Sequence, residues 1–261
     1  MCKVISICNQ KGGTAKTATA VNLGIGLARK GKRVCLIDCD PQGSLSVYLG
    51  IPEPDELEES LATVMKHIIQ GDEYDLDEAM YQHSEGVDFI PGNIELSALE
   101  LSLVTLMSRE YVLKEFVDRL RERYDYLILD SMPSLGMLTI NVLSCADSVL
   151  IPVESKYLSI KGLQQLIRSM GQIKRKINPE LEFEGIVLTM VDNRTNDAKD
   201  TIEKLEENYG EYIHIFNNRI PLTVRMAETT KLSKSIYAHD PCGKAAAAYE
   251  GLTEEVLANG E

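Results

Sequence analysis

The stretch that decides the fold runs Val4-Ile5-Ser6-Ile7-Cys8-Asn9-Gln10-Lys11-Gly12-Gly13-Thr14-Ala15-Lys16-Thr17. Residues 4–8 read as a buried strand, the glycine-bearing residues after them as a loop, and residues 17–30 as a helix. Val21, Ile25 and Ala28 share one face of that helix and Gly31 closes it. Strand, loop and helix in this order make a setting for phosphate. Backbone N–H groups at a helix N-terminus point at the anion, and the helix dipole favours the same charge. Lys16 adds a point charge for the β- and γ-phosphates of a nucleotide, and the Thr17 hydroxyl can ligate Mg²⁺. The strict pattern GxxxxGK[ST] has glycines where this chain has Gln10 and Ala15, and an additional lysine, Lys11, stands between them. A methyl group at 15 strains the loop if the backbone there takes a positive φ.

Outward from this loop, short apolar β-branched runs alternate with segments of helical period, the rhythm of a parallel sheet covered by helices. Strands are expected at 33–38, 87–91, 126–130, 148–153 and 185–191, with another at 213–220. Several are continuously apolar, as strands buried on both faces are. The acidic stretch 53–59, preceded by Pro52 and carrying Pro54, reads as a loop leading into a short helix, a solvated face rather than a linker. The expectation is one α/β domain over residues 1–261, built on a single doubly wound, mostly parallel sheet.

Composition narrows the function. The chain of 261 residues is 44% hydrophobic and 26% charged, the balance of a globular protein. Its 40 acidic against 27 basic side chains give a net charge of −13, which argues against coating nucleic acid or anionic membrane with the whole surface. DNA contact therefore requires a local patch. The N-terminus enters a strand within a few residues, so no export signal is expected, and no apolar run approaches the roughly 18 residues of a membrane span. The six cysteines are dispersed without a CxxC pair, which suits reduced thiols in the cytosol. His67, His83, His214 and His239 show no metal-ligand spacing.

Beyond the loop, the motifs resemble those of one family. The run Lys11-Gly12-Gly13 followed by Lys16-Thr17 looks like the deviant Walker A motif of the ParA/MinD class of P-loop ATPases, whose usual form has glycine at the place of Ala15 and often threonine at that of Ala18. Asp38-Cys39-Asp40-Pro41-Gln42-Gly43-Ser44 matches the DxDPQG[NS] segment of ParA/Soj partition ATPases. The segment 124–136 is similar to their Walker B strand and following turn, with Met132 replacing a common proline. Residues 189–196 and Ile236-Tyr237-Ala238-His239-Asp240-Pro241 extend the resemblance over essentially the whole chain. The chain looks like the short form of the family, without an N-terminal helix-turn-helix.

Chemistry and resemblance together assign roles. Asp130, at the end of a buried strand beside the loop, suits a magnesium carboxylate, directly or through water. Asp40 lies past the second strand on the same sheet edge, where it can orient the attacking water or share the metal site, with Asp38 in the same segment. The resemblance gives Lys11 the task of reaching across an ATP-dependent homodimer to the partner's phosphates. ATP contacts then fall on Lys11, Gly12, Gly13, Thr14, Ala15, Lys16, Thr17 and Ala18. The adenine end falls near Asp192 and Pro221, although Asp192 reads equally as a loop cap. Catalysis is assigned to Lys11, Lys16 and Asp40, and magnesium to Thr17, Asp40 and Asp130.

The resemblance further implies a slow, cytoplasmic, nucleoid-associated ATPase that binds double-stranded DNA non-specifically and is stimulated by DNA and by a ParB-like partner to position a plasmid, chromosome or mobile element. Arg194 and Arg225 take the places of DNA-contacting arginines, Arg225 reading equally as a surface ion-pair residue. Arg168, Lys174, Arg175, Lys176, Arg219, Lys231, Lys234 and Lys244 can extend the patch. A MinD-like membrane switch would need a basic amphipathic C-terminal helix, whereas residues 252–261 are acidic. A protein cargo in place of DNA leaves the same sequence signals. An iron–sulfur carrier needs exposed cysteines, but Cys35 and Cys39 share one face of a core strand and read as buried thiols.

Overall fold

The computed structural model describes residues 2–155, 159–192 and 196–259. The chain opens with β1 (Lys3–Ile7), α1 (Lys16–Arg29), β2 (Val34–Cys39), α2 (Ser44–Tyr48) and α3 (Leu61–Gln70). It continues through β3 (Tyr81–His83), β4 (Val87–Ile90), α4 (Glu95–Leu103), α5 (Val112–Leu120), β5 (Tyr126–Ser131) and α6 (Met137–Cys145). The last part holds β6 (Ser148–Glu154), α7 (Ser159–Lys176), β7 (Glu182–Thr189), α8 (Asn196–Tyr209), α9 (Val224–Leu232), α10 (Ile236–His239) and α11 (Lys244–Ala258).

These strands form one seven-stranded sheet in the order β3-β4-β2-β5-β1-β6-β7. Every pairing is parallel except that of β3 with β4. Parallel strands put their C-terminal ends on one edge. The chain leaves β1 towards β2 on one side and later crosses to β6 on the other, so the loop after β1 sits at the reversal of strand order, where open α/β sheets bind ligands.

Side chains alternate between two cores as the two-residue period of a strand requires. On β2, Cys35, Ile37 and Cys39 enter one cluster, together with Val4, Leu127 and Leu129, under α3 to α8. Val34 and Leu36 enter the other, together with Ile5, Ile7 and Ile128, under α1 and α11. Cys2, Cys8, Cys35, Cys39 and Cys145 are buried free thiols, and Cys242 alone is exposed. Helix α1 lies close on the sheet because Gly24 faces Leu36: a Cβ there would stand 2.5 Å from Leu36 Cδ2.

One expectation needs correction. Residues 213–220 do not form an eighth strand; they meet β7 through the isolated parallel bridge Ile186–Ile215 and the Ile220 amide, which donates to the Leu188 carbonyl at 2.8 Å, and the chain bridges again at Val191–Pro221. The physical reason lies between the bridges. The amides of Asn217 and Asn218 donate to the Glu255 carboxylate, at 2.9 and 2.8 Å, so the ladder along β7 is broken there. The antiparallel edge strand β3 went unforeseen, being three residues long and outside any apolar run.

Candidate functional site

The loop between β1 and α1 is fastened by its own backbone and by the neighbouring strands. Asn9 donates its side-chain amide to the Pro152 carbonyl at 2.7 Å and accepts from the Lys11 amide at 3.0 Å. The Thr189 hydroxyl, at the end of β7, donates to the Thr14 carbonyl at 3.1 Å. Gly13 has φ 73°, and Ala15 is left-handed with φ 62° and ψ 32°. The strain foreseen for a methyl at 15 is therefore present, at roughly 1–2 kcal/mol for an L-residue in this region. Ala15 is also the N-cap of α1 and supplies no side-chain hydrogen bond, so no capping side chain competes for the first-turn amides.

A hollow of about 390 Å³ lies over this loop, lined by Gly12, Gly13, Thr14, Ala15, Lys16, Thr17, Ala18, Asp40, Ser44, Tyr48, Pro133 and Thr230. Lys16 is buried, its ammonium 3.5 Å from the Lys11 carbonyl. Lys11 lies at the rim and is not part of the lining; its ammonium stands 2.8 Å from Oε2 of Glu154, at the end of β6.

The carboxylates stand side by side at the strand ends. Asp38 and Asp130 are register partners on β2 and β5. Asp38 accepts the Ser46 hydroxyl at 2.7 Å, the Ser46 amide at 2.9 Å and the Asp40 amide at 3.2 Å. Burial nevertheless lifts its pKa to about 6, against the hydrogen bonds that favour the anion. The Ser46 hydroxyl also accepts the Gly92 amide at 3.0 Å, tying α2 to the ends of both β2 and β4. Asp40 is half-buried, and its carboxylate caps the turn by accepting the Gln42 amide at 3.0 Å.

Asp130 is fully buried and neither of its carboxylate oxygens accepts a hydrogen bond. The Thr17 hydroxyl and the Lys16 ammonium lie near enough to favour its charged form. Burial first and the Asp38 charge second push its pKa well above the usual carboxylate range, Thr17 and Lys16 opposing the rise. An orphaned carboxylate beside a hydroxyl and a buried ammonium is a donor set that fits a divalent cation bound with a polyphosphate. Thr17, Asp130 and Asp40 are the residues that would hold the ion. The uncapped start of α1 and Lys16 would hold the phosphates.

Other assigned residues lie apart. Asp192 and Pro221 come together beyond β7, where Val191 bridges Pro221, and neither lines the hollow. Arg225 is exposed on α9 and paired with Glu228 at 3.1 Å. Lys174 pairs with Glu182 and Arg219 with Glu206. Arg194 lies outside the described residues. Glu154, Tyr48 and Thr230 were not foreseen. Tyr48 could have been read four residues past Ser44, on the same helical face; Thr230 carries no local signal.

Comparison with known proteins places this arrangement. The AAA domain family matches residues 2–183. The chain is 40% identical over 260 residues to the sporulation initiation inhibitor protein Soj of Bacillus subtilis, covering 100% of both chains. It is 34% identical to the chromosome partitioning protein ParA of Caulobacter vibrioides, over 98% of this chain and 94% of that one. Among solved structures, cobyrinic acid a,c-diamide synthase from Mycobacterium smegmatis with a bound ATP analogue and magnesium superposes with a TM-score of 0.84 at 32% identity, covering 98% of this chain and 95% of that one. A plasmid partition protein from Borrelia burgdorferi bound to AMPPNP shares the fold, at a TM-score of 0.80 and 22% identity over 99% and 100% of the two chains.

Proposed function

This chain belongs to the ParA/Soj family of P-loop ATPases, and from that membership we propose that it is a dimerising ATP switch which binds DNA non-specifically and positions a plasmid, chromosome or mobile element. ATP and Mg²⁺ occupy the hollow above residues 12–18. The bound cation supplies charge neutralisation of the phosphates. Lys16 and the first-turn amides of α1 hold the β- and γ-phosphates, and Asp40 orients the attacking water from the adjacent strand end.

The position of Lys11 carries the dimer reading. A lysine on the phosphate loop that lies outside the lining of its own hollow, with its ammonium at the rim, serves chemistry beyond its own subunit. A second copy brought face to face receives that charge at its phosphates, so hydrolysis waits for dimerisation and is slow until DNA and a ParB-like partner stimulate it. Arg225 and Arg194, with neighbouring basic residues, supply the DNA contacts. Since Arg225 is already paired with Glu228, DNA affinity is modest and salt-sensitive. The working place is the cytoplasm, on the nucleoid.

A membrane-surface role is not favoured, because Ala245, Tyr249, Leu252 and Val256 of the last helix are buried in the core. Among the described residues no helix is long and apolar enough to cross a membrane. The test is ATP hydrolysis with and without non-specific duplex DNA, alongside DNA retention in ATP and in ADP over a salt series. Retention that needs ATP and weakens with salt is expected. Binding indifferent to nucleotide overturns the reading.

A further inference from the structure

A knot of buried polar groups joins the phosphate hollow to α9, the helix that carries Arg225. Tyr48, on α2, lines the hollow and is 2% exposed. Its hydroxyl donates to Thr229 Oγ1 at 2.5 Å, and Thr229, fully buried, donates in turn to the Met226 carbonyl at 2.7 Å. Asn22, one turn into α1 beyond Ala18, completes the knot. Its amide donates to the Ala18 carbonyl at 2.7 Å and to the Tyr48 hydroxyl at 3.2 Å, and its Oδ1 accepts the Ile236 amide of α10 at 2.8 Å. Two elements from the first fifty residues, α1 and α2, thus meet two from the last forty, α9 and α10, through hydroxyls and one carboxamide, each of which has partners.

Phenylalanine and valine would fill the places of Tyr48 and Thr229 without any polar group to satisfy. A matched polar pair fixes one register between the two helices where apolar packing would let them slide. The register matters because both ends of the pair reach the same cavity: Tyr48 lines it from α2, and Thr230, the residue after Thr229, lines it from α9. The α2 segment is also anchored to the Asp38–Asp40 turn through Ser46. A ligand that shifts α2 must therefore either carry α9 with it or break a buried hydrogen bond, which leaves an unsatisfied donor.

We infer that the Tyr48–Thr229 hydrogen bond transmits the state of the phosphate hollow to α9, so that nucleotide occupancy sets the presentation of Arg225. The link rests on the nucleotide reading given above, and its DNA consequence rests on the DNA reading. Coupling between two sites is reciprocal: if ATP strengthens DNA binding through this path, DNA strengthens ATP binding by the same factor.

The experiment uses the full chain as wild type, Thr229→Val and Thr229→Ser, with thermal melting to confirm that each folds. Hydrogen exchange over residues 224–232 is measured without nucleotide and with Mg²⁺ and a non-hydrolysable ATP analogue. The analogue is expected to change exchange in wild type and in T229S, which keeps the hydroxyl, and to leave it unchanged in T229V. An equal response in wild type and T229V, or no response in wild type despite bound analogue, overturns the link. DNA retention is read in parallel. The preference for ATP over ADP in wild type is expected to fall about fivefold or more in T229V and to return in T229S. A wild type that shows the exchange response but no ATP-dependent retention removes the DNA reading and leaves the link standing.

Discussion

The Lys11 ammonium lies 2.8 Å from Oε2 of Glu154, joining the loop after β1 to the end of the neighbouring strand β6. Glu154 is largely buried whereas Lys11 is more exposed, so the carboxylate is the fixed partner and holds the lysine at the rim. Lys11→Ala is expected to bind ATP normally and to lose roughly 10²–10³-fold in stimulated turnover, the loss typical of removing a transition-state donor. Glu154→Gln is expected to lower turnover through the same lysine, and the double variant to be no slower than Lys11→Ala alone, because the two residues act as one unit. Steady-state hydrolysis with nucleotide affinity measured separately decides this; losses that simply multiply would show that Glu154 acts elsewhere.

The orphaned carboxylate of Asp130 predicts opposite effects on stability and on ligand binding. Asp130→Asn removes a buried charge that accepts no hydrogen bond, so the nucleotide-free protein is expected to gain about 1–3 kcal/mol at pH 7.5 while magnesium-dependent nucleotide binding is lost. The sign with pH follows from the raised pKa. A carboxyl whose folded pKa is raised favours folding below its unfolded value, near 4, and that contribution disappears as pH rises through the folded value. For Asp38 the upper end of the window is about 6; for Asp130 it lies well above the usual carboxylate range. Asp125 and Glu228, held below their usual values, act in the other direction. The quantity to read is therefore the difference in thermal stability between Asp130→Asn and wild type, which should widen from pH 4 to pH 8. A difference that stays flat would mean that the folded carboxyl titrates as it does in the unfolded chain.

The left-handed backbone at Ala15 sets a third test. Ala15→Gly relieves about 1 kcal/mol of strain and adds a similar amount of unfolded-chain freedom, so folding stability is expected to stay within about 1 kcal/mol of wild type. Removal of the methyl from the lining of the hollow is expected to raise nucleotide affinity and turnover. Melting curves and ATP titration check both halves, and unchanged titration would show that the loop accommodates the methyl without loss.

How far the sequence revealed this site depended on how local each piece was. The loop was legible because its strand, glycines, Lys16 and Thr17 are contiguous. Asp38, Asp40 and Asp130 were legible because each closes or follows an apolar strand, and parallel strands bring their ends to one edge. Glu154 also ends such a strand, but only the strand order, with β6 beside β1, reveals that it meets Lys11. Thr229 and Thr230 reach the site from a segment more than two hundred residues beyond the loop, and nothing in their neighbourhood marks them. The expected strand at 213–220 failed for a related reason: Glu255, on α11, takes the amides of Asn217 and Asn218, so the pairing with β7 is interrupted there.

Asp40 separates binding from hydrolysis. Its carboxylate lines the hollow, and its held turn, with the Asp40 amide on Asp38 and the Gln42 amide on Asp40 itself, does not depend on a bound phosphate. Asp40→Ala is expected to keep ATP affinity, to lose roughly 10²–10⁴-fold in hydrolysis as for removal of a general base, and to persist as an ATP-bound dimer on DNA. Size-exclusion chromatography with ATP and a single-turnover assay measure this; a variant that hydrolyses at the wild-type rate would reassign the water-orienting role.

Glu228 sets how available Arg225 is. One carboxylate oxygen, Oε2, takes both Arg225 at 3.1 Å and His239 Nε2 at 2.8 Å, and these partners, His239 foremost, hold the Glu228 carboxyl below its usual pKa. Duplex DNA must compete with that oxygen for the guanidinium. Glu228→Gln removes the competing charge and is expected to strengthen ATP-dependent retention at every salt concentration without altering hydrolysis in the absence of DNA. Arg225→Ala is expected to weaken retention and to reduce the slope of log affinity against log salt by about 1, the signature of one lost phosphate contact. Both slopes come from the same retention assay over a salt series. An Arg225→Ala variant with the wild-type slope would show that Arg225 is only the ion-pair partner of Glu228 and that the DNA surface lies elsewhere.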